Sequence, residues 1–540
     1  PTVSEVGSIS ASLEGSFSNG WNWSAYVTNA HSNRDVEMHG FRVDRLFKGV
    51  DAVLHPVTGA VVCSSTLIEP NDGCVPLNLF GIGNTTQDAR DWVHDYMTQK
   101  ADYKQTSAEV VLNGEVYEGF GAGPVFMAAG VNWRDDRVDQ VVWDAFGPLP
   151  PAGEGYITDK DANGDLLYRG LPSVYIASVP VIDRTNASAY AGQIDVWEGF
   201  TEFDVPLLEG ARFAESLSAN VAARYTKYST IESVWAWKGG IDWRVTDELR
   251  LRWTRSRDIR AGSISELFDT TAVNAFVTDD PWRPADETYI AKNVSGGNPE
   301  VMPETANTIT YGFVYQPNWL AGSAFSVDYY DIKIADAISQ IGTNNIINFC
   351  YEEGIFCNQL EREPSGRISA IINTFINVGE QRTRGMDLEA SYRGDATWFG
   401  RNDGFSVRAI ASRLLESSLQ NFNAAPVERV DTGNYQDLQV TLTASYTTGP
   451  LSASWSTRWV SDAVRSRNWV TGIDIDNNKI PSHHLSNLRL SYNLGLMETD
   501  SSVYLAVSNV FDKNPGDLNG LNGLYDLVGR NYSLGMNVSF

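Results

Sequence analysis

Leu438-Gln439-Val440-Thr441-Leu442-Thr443-Ala444-Ser445-Tyr446-Thr447 sorts almost completely by parity, with apolar residues at even positions and Gln, Thr or Ser at odd ones. Successive side chains of an extended chain point to opposite faces, so this stretch reads as a strand with one apolar and one polar face. After a short Thr-Thr-Gly-Pro turn the pattern returns, with Leu451, Ala453, Trp455 and Trp459 opposed to Ser452, Ser454, Ser456 and Arg458. The same alternation runs through Leu249/Leu251/Trp253, Met386/Leu388/Ala390/Tyr392, Phe405/Val407/Ala409/Ala411 and Leu488/Leu490/Tyr492/Leu494. No helical stripe of comparable length competes with it.

Counting outward from there gives about 17 strands of ten or so residues each. Their connections are sorted. Short links such as 18–19, 206–210, 246–247 and 447–449 alternate with long ones at 31–103, 138–191, 261–303, 337–377, 418–435, 463–482 and 512–528, and only the link near Ser229 breaks the rule. A soluble sandwich has no reason to sort its loops to two ends. A transmembrane antiparallel β-barrel does, because one rim carries tight turns and the other extended loops. Strand length agrees: about 9–11 tilted residues cross a bilayer, whereas strands of globular proteins average about 5–6. The expected fold is therefore all-β.

Composition narrows the function. Of 540 residues, 11% are aromatic, with 16 Trp, 23 Tyr and 22 Phe spread along the chain, which excludes disorder. No apolar run approaches the roughly 18 residues of a membrane-crossing helix. The 41 Lys and Arg against 67 Asp and Glu leave a net charge of −26, which repels nucleic-acid phosphates. The chain opens at Pro1 without a signal peptide, as expected of a mature product or a fragment.

The four cysteines fall into two local pairs within turn-rich segments, Cys63 with Cys74 and Cys350 with Cys357. Each pair can close a small loop, and disulfides in an oxidising compartment are favoured over zinc, which usually shows CxxC spacing or nearby His. In the long link 138–191, Asp159-Lys-Asp161-Ala-Asn163-Gly164-Asp165 sets oxygen ligands at the first, third and fifth positions of a calcium-type loop, with Gly164 allowing the bend. The expected ligands are Asp159, Asp161, Asn163 and the carbonyl of Asp165; Gly170 stands where a bidentate Glu would close the shell, and an Asx-rich turn is the alternative. Asp474-Ile-Asp476-Asn-Asn478-Lys is a poorer copy. Loop aromatics supply candidate substrate contacts, with Trp143, Tyr156, Trp282 and Tyr351 foremost, since their faces stack on sugar rings or planar chelates. Arg134, Arg137, Arg250, Arg252, Arg255 and Arg257 are expected toward the lumen, pairing with acidic residues of a plug, with anion binding as the alternative. No His has a Ser or Cys partner at telling spacing and no GxSxG occurs, so an enzyme is not expected.

Particular residues carry a resemblance. The C-terminal Gly529-Arg-Asn-Tyr-Ser-Leu-Gly-Met-Asn-Val-Ser-Phe540 sets Tyr532, Leu534, Met536, Val538 and Phe540 on one face. Before it stands Ser508-Asn-Val-Phe-Asp-Lys-Asn-Pro515, and upstream come Arg257-Asp-Ile-Arg-Ala261 with Ile264-Ser-Glu-Leu-Phe268, Gly297-Asn-Pro299 with Met302-Pro-Glu-Thr305, and Asn377-Val-Gly-Glu380 leading into Gly385-Met-Asp-Leu-Glu389. Cys74-Val-Pro-Leu-Asn-Leu-Phe-Gly81 also matches a loop of large-loop family members. In this ordered set, from about residue 60 to 540, the chain resembles the barrel part of TonB-dependent outer-membrane receptors.

The resemblance implies a bacterial outer-membrane transporter that takes up a scarce nutrient such as a siderophore, cobalamin or oligosaccharide. It implies a C-terminal Phe540, with Tyr532, read as the assembly signal. It also implies a 22-strand barrel filled by an N-terminal plug. Residues 1–540 are then expected to be barrel only, without the plug and the first five strands. A separate fragment bearing these, contact with TonB through it, and outer-membrane lipids are the expected partners. A passive pore or a surface binding protein is the alternative.

Overall fold

The computed structural model describes residues 2–144, 147–148, 189–269, 272–284, 288–396, 403–420, 425–433, 435–495, 500–514 and 528–539. Nineteen strands form one antiparallel sheet, two of them being two-residue extensions at Gly147–Pro148 and Val427–Glu428. The seventeen wall strands, each paired with its neighbours in sequence, begin with β1 (Thr2–Ser16), β2 (Asn22–Phe41), β3 (His94–Tyr117), β4 (Val125–Asp144), β5 (Tyr190–Ala211) and β6 (Ala214–Tyr228). Next come β7 (Val234–Arg244), β8 (Leu249–Arg260), β9 (Glu304–Tyr315), β10 (Ser323–Ala335), β11 (Glu380–Ala396) and β12 (Asp403–Gln420). The wall ends with β13 (Leu438–Thr448), β14 (Leu451–Val460), β15 (His483–Asn493), β16 (Asp500–Ser508) and β17 (Asn531–Ser539). Among the described residues β1 pairs only with β2 and β17 only with β16.

Register keeps one apolar face around the wall, interrupted by bulges at Glu115/Tyr117, Pro206/Leu208 and Arg384/Gly385. Leu13 lies opposite Ala25, Val110 opposite Val131, Tyr225 opposite Trp235, Leu442 opposite Thr457 and Leu505 opposite Leu534, all on the apolar face. These residues stand open: Ile9 is 80% exposed and Leu534 83%. In water, each large apolar side chain left out forfeits about 1.5–3 kcal/mol of burial. In a bilayer the hydrocarbon supplies that environment, so this face is the lipid face and the opposite one lines the lumen.

Strands β2 to β5 run 20, 24, 20 and 22 residues, longer than the expected 20–30, 104–117, 121–137 and 192–206. Strand β5 gains mostly at its short-turn end, up to Ala211, whereas in β2 to β4 the added residues lie on the long-loop side. There both faces of the ladder meet water or loop, so the alternation that marks a membrane strand is lost although the hydrogen bonds continue.

The long loops are themselves structured. The link after β2 contains α1 (Val43–Val50) and α2 (Gln87–Val93), the second capped by Thr86. Links 261–303 and 336–379, from next-neighbour hairpins, merge into an outer cap. Loop strands Ala272–Asp279 and Thr288–Ser295 form a hairpin, Ile368–Ile372 joins it in parallel, and Leu360–Arg362 completes a four-stranded sheet. Short helix α3 (Ile264–Phe268), closed by a Ser263–Glu266 capping box, belongs to the first link, and α4 (Thr343–Glu353), ended by Gly354 at φ 70°, belongs to the second. Ile346, Ile347, Ile368, Ile371 and Val378 are the dry core of this cap.

The outer link between β6 and β7, residues 229–233, is short, which leaves a notch in the rim. Helix α3 fills it. Leu267 buries against Ile194 and Val196 on the inner side of β5, with Phe268 and Tyr228 packed around them.

Candidate functional site

The lumenal wall is built by parity. Even positions of β4 to β8 face inward, and they carry Glu198, Glu202, Arg224, Lys238, Asp242, Arg250 and Arg252. Polar groups pair along the wall: Arg250 Nε donates to Asp242 at 2.8 Å and Arg408 Nε to Glu389 at 2.7 Å between adjacent strands, Arg252 Nε reaches past Gly312 of β9 to Asp328 of β10 at 2.8 Å, and Asn220 Nδ2 donates to Glu202 at 2.8 Å. Near the outer mouth the wall and α3 enclose a cavity of about 540 Å³, lined by Tyr103, Arg134, Ile194, Tyr228, Arg260 and Leu267 among others. Arg134 spans to Asp136 there at 2.8 Å.

The expectation that six arginines point inward is corrected for three of them. Arg255 and Arg257 share the parity of Trp253, not of Arg252, and face lipid. Arg137 lies in the outward row of His31 and Lys104 and bonds Asp135 at 2.7 Å. The other three, Arg134, Arg250 and Arg252, face the lumen and pair with Asp136, Asp242 and Asp328 of the wall itself rather than with a plug.

Three of the family-like motifs, those at 257–268, 297–305 and 377–389, converge on one knot at the rim. Arg260, the last residue of β8, reaches Glu304 at 2.6 Å and Glu266 at 2.8 Å. Glu304 accepts the Ile338 amide, Asn377 braces Met302 in both directions at 2.8 Å, and Asn298 donates to the Phe375 carbonyl. Burial pulls the Glu266 carboxyl up, but Arg260 and the Ser263 amide outweigh it and hold the group below its ordinary value. These residues fasten both cap loops to the wall.

On the outside of the cap, Trp282 and Tyr351 meet edge to face with ring centroids 5.0 Å apart, although 69 residues separate them. Both are accessible, at 43% and 52% exposure. The Arg362 guanidinium lies 4.2 Å from the Trp282 ring centre and within 3.4 Å of Asp280, which also accepts from the Tyr289 hydroxyl at 2.6 Å and the Trp282 amide at 3.1 Å. Burial, reinforced by Asp280, pushes the Tyr289 phenol up to about 12. A Cys350–Cys357 disulfide with Cα atoms 4.9 Å apart ties down the end of α4 beneath Tyr351. The result is a rigid aromatic ledge with a cation beside it, suited to a planar or anionic ligand. Arg362 lacks any local signal in the sequence; only the pairing of Leu360–Arg362 with Ile368–Ile372 brings it to Trp282.

The first long loop is closed by a Cys63–Cys74 disulfide, with Cα atoms 6.1 Å apart. Asp72, with a side chain only 2% exposed, accepts from Ser65 at 2.5 Å, Thr66 at 3.0 Å and the Cys74 amide at 3.0 Å, with Lys48 at 3.7 Å. Burial raises its carboxyl, and the hydrogen bonds with Lys48 more than reverse this, leaving it below the ordinary value. The Asp474–Lys479 stretch is a hydrogen-bonded turn, in which Asn478 Nδ2 donates to the Ser466 and Trp469 carbonyls.

Asp159, Asp161, Asn163, Asp165 and Tyr156 lie outside the described residues, as do Phe540 and the side chain of Trp143. Tyr532 stands on the lipid face of β17, opposite Val507.

Residues 4–510 match the family described as TonB dependent receptor-like, beta-barrel. Among solved structures, the siderophore receptor PirA from Acinetobacter baumannii is similar over 100% of this chain and 63% of its own, at 15% identity and a TM-score of 0.57. The FpvAI–pyocin S2 complex gives 94% and 53% coverage, 12% identity and 0.52. The ferripyoverdine receptor of the Pseudomonas aeruginosa outer membrane, bound to ferripyoverdine, gives 94% and 52%, 12% and 0.51. The chain thus spans between half and two thirds of the length of these structures, and the likeness is one of fold. No curated protein sequence matches the chain.

Proposed function

This chain belongs to the TonB-dependent receptor β-barrels of the bacterial outer membrane, and on that premise we propose that it forms the wall and outer cap of an energy-coupled importer of an iron–siderophore-type chelate. The observation that carries the substrate class is the Trp282–Tyr351 ledge with Arg362 stacked beside it. Its flat aromatic faces and adjacent guanidinium fit a planar, negatively charged chelate better than a neutral sugar. The similarity to receptors named for siderophores points the same way.

Import needs a plug in the lumen and further strands beside β1 and β17. Both edge strands run from the long-loop rim to the short-turn rim, so antiparallel closure requires an odd number of added strands. A pull on that plug by TonB then opens the path for cargo. In the link 138–191, calcium held by Asp159, Asp161, Asn163 and Asp165 would brace the loop.

The test is uptake of iron-55 carried by catecholate, hydroxamate and mixed siderophores into cells producing the receptor complete with its plug. Accumulation that a protonophore abolishes, and that Trp282→Ala with Tyr351→Ala reduces at least tenfold, is the expected result. Iron-independent, steady ion conduction by the chain alone would favour a passive pore.

A further inference from the structure

Strand β8 carries Arg250, Arg252, Arg255 and Arg257, and register divides them into two pairs. The first two face the lumen and are held by Asp242 and Asp328. Arg255 and Arg257 face lipid, beside Gly239 and Trp237 on β7 and Ile309 and Asn307 on β9. Both are exposed, and among the described residues neither makes a hydrogen bond, ion pair or ring contact.

Two cations two residues apart on one strand face stand about 7 Å from each other and repel. Elsewhere on the same outward face the chain supplies counter-charges: Glu380 meets Lys333 at 2.6 Å, Asp331 meets Arg382 at 2.7 Å, and Glu416 meets Arg384 at 2.5 Å. In a chain of net charge −26, carboxylates are plentiful, yet none is placed at Arg255 or Arg257. Both sit in the upper part of the strand, Arg257 three residues from its outer end at Arg260. At that height an arginine can reach the membrane interface at little cost.

A second feature lies alongside. The lipid face of β3 to β7 contains an apolar groove of about 460 Å³, lined by Val110, Leu112, Val131, Gly199, Ala223 and Trp235 among others. It exists because Gly199 has open space where a side chain would stand. Ala223, in its floor, shares a cross-strand row with Trp237 and Arg257. From β8 to β5 is three strand spacings, roughly 14 Å. One end of the feature is thus cationic and interfacial, and the other is a furrow free of charge within the hydrocarbon zone.

We propose that Arg255, Arg257 and this groove form a binding site for a phosphate-bearing lipid of the outer leaflet. The guanidinium pair takes the phosphate of the head group, for which the planar fork of arginine is well matched. One acyl chain crosses Trp237 and lies in the groove over Gly199, restoring the dispersion contacts that an unfilled furrow lacks.

The site is testable by native mass spectrometry of the chain, extracted from outer membranes as it occurs there and held in a non-ionic detergent. The probes are dilauroyl phosphatidic acid, dilauroylglycerol and inorganic phosphate. The wild type is expected to retain one phosphatidic acid, and Arg255→Gln with Arg257→Gln to retain it at least tenfold more weakly. Gly199→Leu, which fills the groove and leaves every charge in place, is expected to weaken it as well, while Lys333→Gln leaves it unchanged. Arg255→Lys with Arg257→Lys, which keeps the charge and loses the fork, should fall between, and it stands in if the Gln variant does not fold. Equal retention by the wild type and both arginine variants would overturn the proposal. So would equal binding of dilauroylglycerol, binding of inorganic phosphate alone, or a dimer without lipid that the same substitutions abolish.

Discussion

The cap and the wall are folded by different physics. The cap has a water-free core in which Ile346 and Ile371 are fully buried, a short sheet, a helix and a disulfide, as in a small soluble domain. The wall has almost no such core among its described residues: its apolar side chains face outward and its polar ones pair between strands along the lumenal face. The difference teaches where energy resides. In the cap, packing decides; in the wall, the hydrogen-bonded register and the membrane decide, and a single side chain counts for less.

That contrast breaks most readily at the cap core. Ile346→Ala or Ile371→Ala should lower the local opening free energy of the cap by about 2–5 kcal/mol, the cost of a buried cavity. Hydrogen exchange of amides in 343–372 should accelerate accordingly, and exchange in β13 and β14 should not; acceleration in both would mean that cap and wall open as one. Cys350→Ser with Cys357→Ser comes next, at about 2.5 kcal/mol by loop-closure entropy, read in the same amides.

A pH experiment sharpens the comparison on the other loop. The Asp72 carboxyl lies below its ordinary value in the folded loop, so the charged form stabilises that fold. The contribution is fully present above the ordinary carboxyl value and is lost as pH falls below it through the depressed one. Exchange at residues 61–77 should therefore rise in that acid window, and Asp72→Asn should flatten the dependence; an unchanged profile would show that the loop is held by the disulfide alone. The smallest effect belongs to the wall. Arg250→Gln with Asp242→Asn removes a half-exposed lumenal pair and should change thermal stability by less than about 1 kcal/mol.

Legibility follows the same division. Residues 438–447 disclose the strand, its two faces and the barrel, because the membrane and the lumen impose a strict period of two. The alternation also sets the trap at Arg255 and Arg257: two charges at lipid-side positions look like a change of face, and only the ladder from Trp253 keeps them outward. The outer extensions of β2 to β4 have no alternation to read. The cap strands are eight, five and three residues long and draw their partners from loops some 70 residues apart, so their sheet leaves no period in the sequence. Motif residues such as Arg260, Glu304 and Asn377 are visible as a pattern, but their common role in fastening the cap emerges only from their contacts. The ledge was half visible, through Trp282 and Tyr351 without Arg362.

Gly192, on the inner side of β5, lies flat beneath the ring of Phe268, and any side chain there would collide with it. Because the chain from Phe268 continues directly into the first cap strand, this contact works as a latch: a pull on the cap is borne by β5 as well as by the four strands from which its loops spring. The wall is loaded on both sides of the rim notch, and the cap is held there against tilting about its own stalks. Gly192→Val would push Phe268 off β5 and leave Leu267 alone to carry that side of the load.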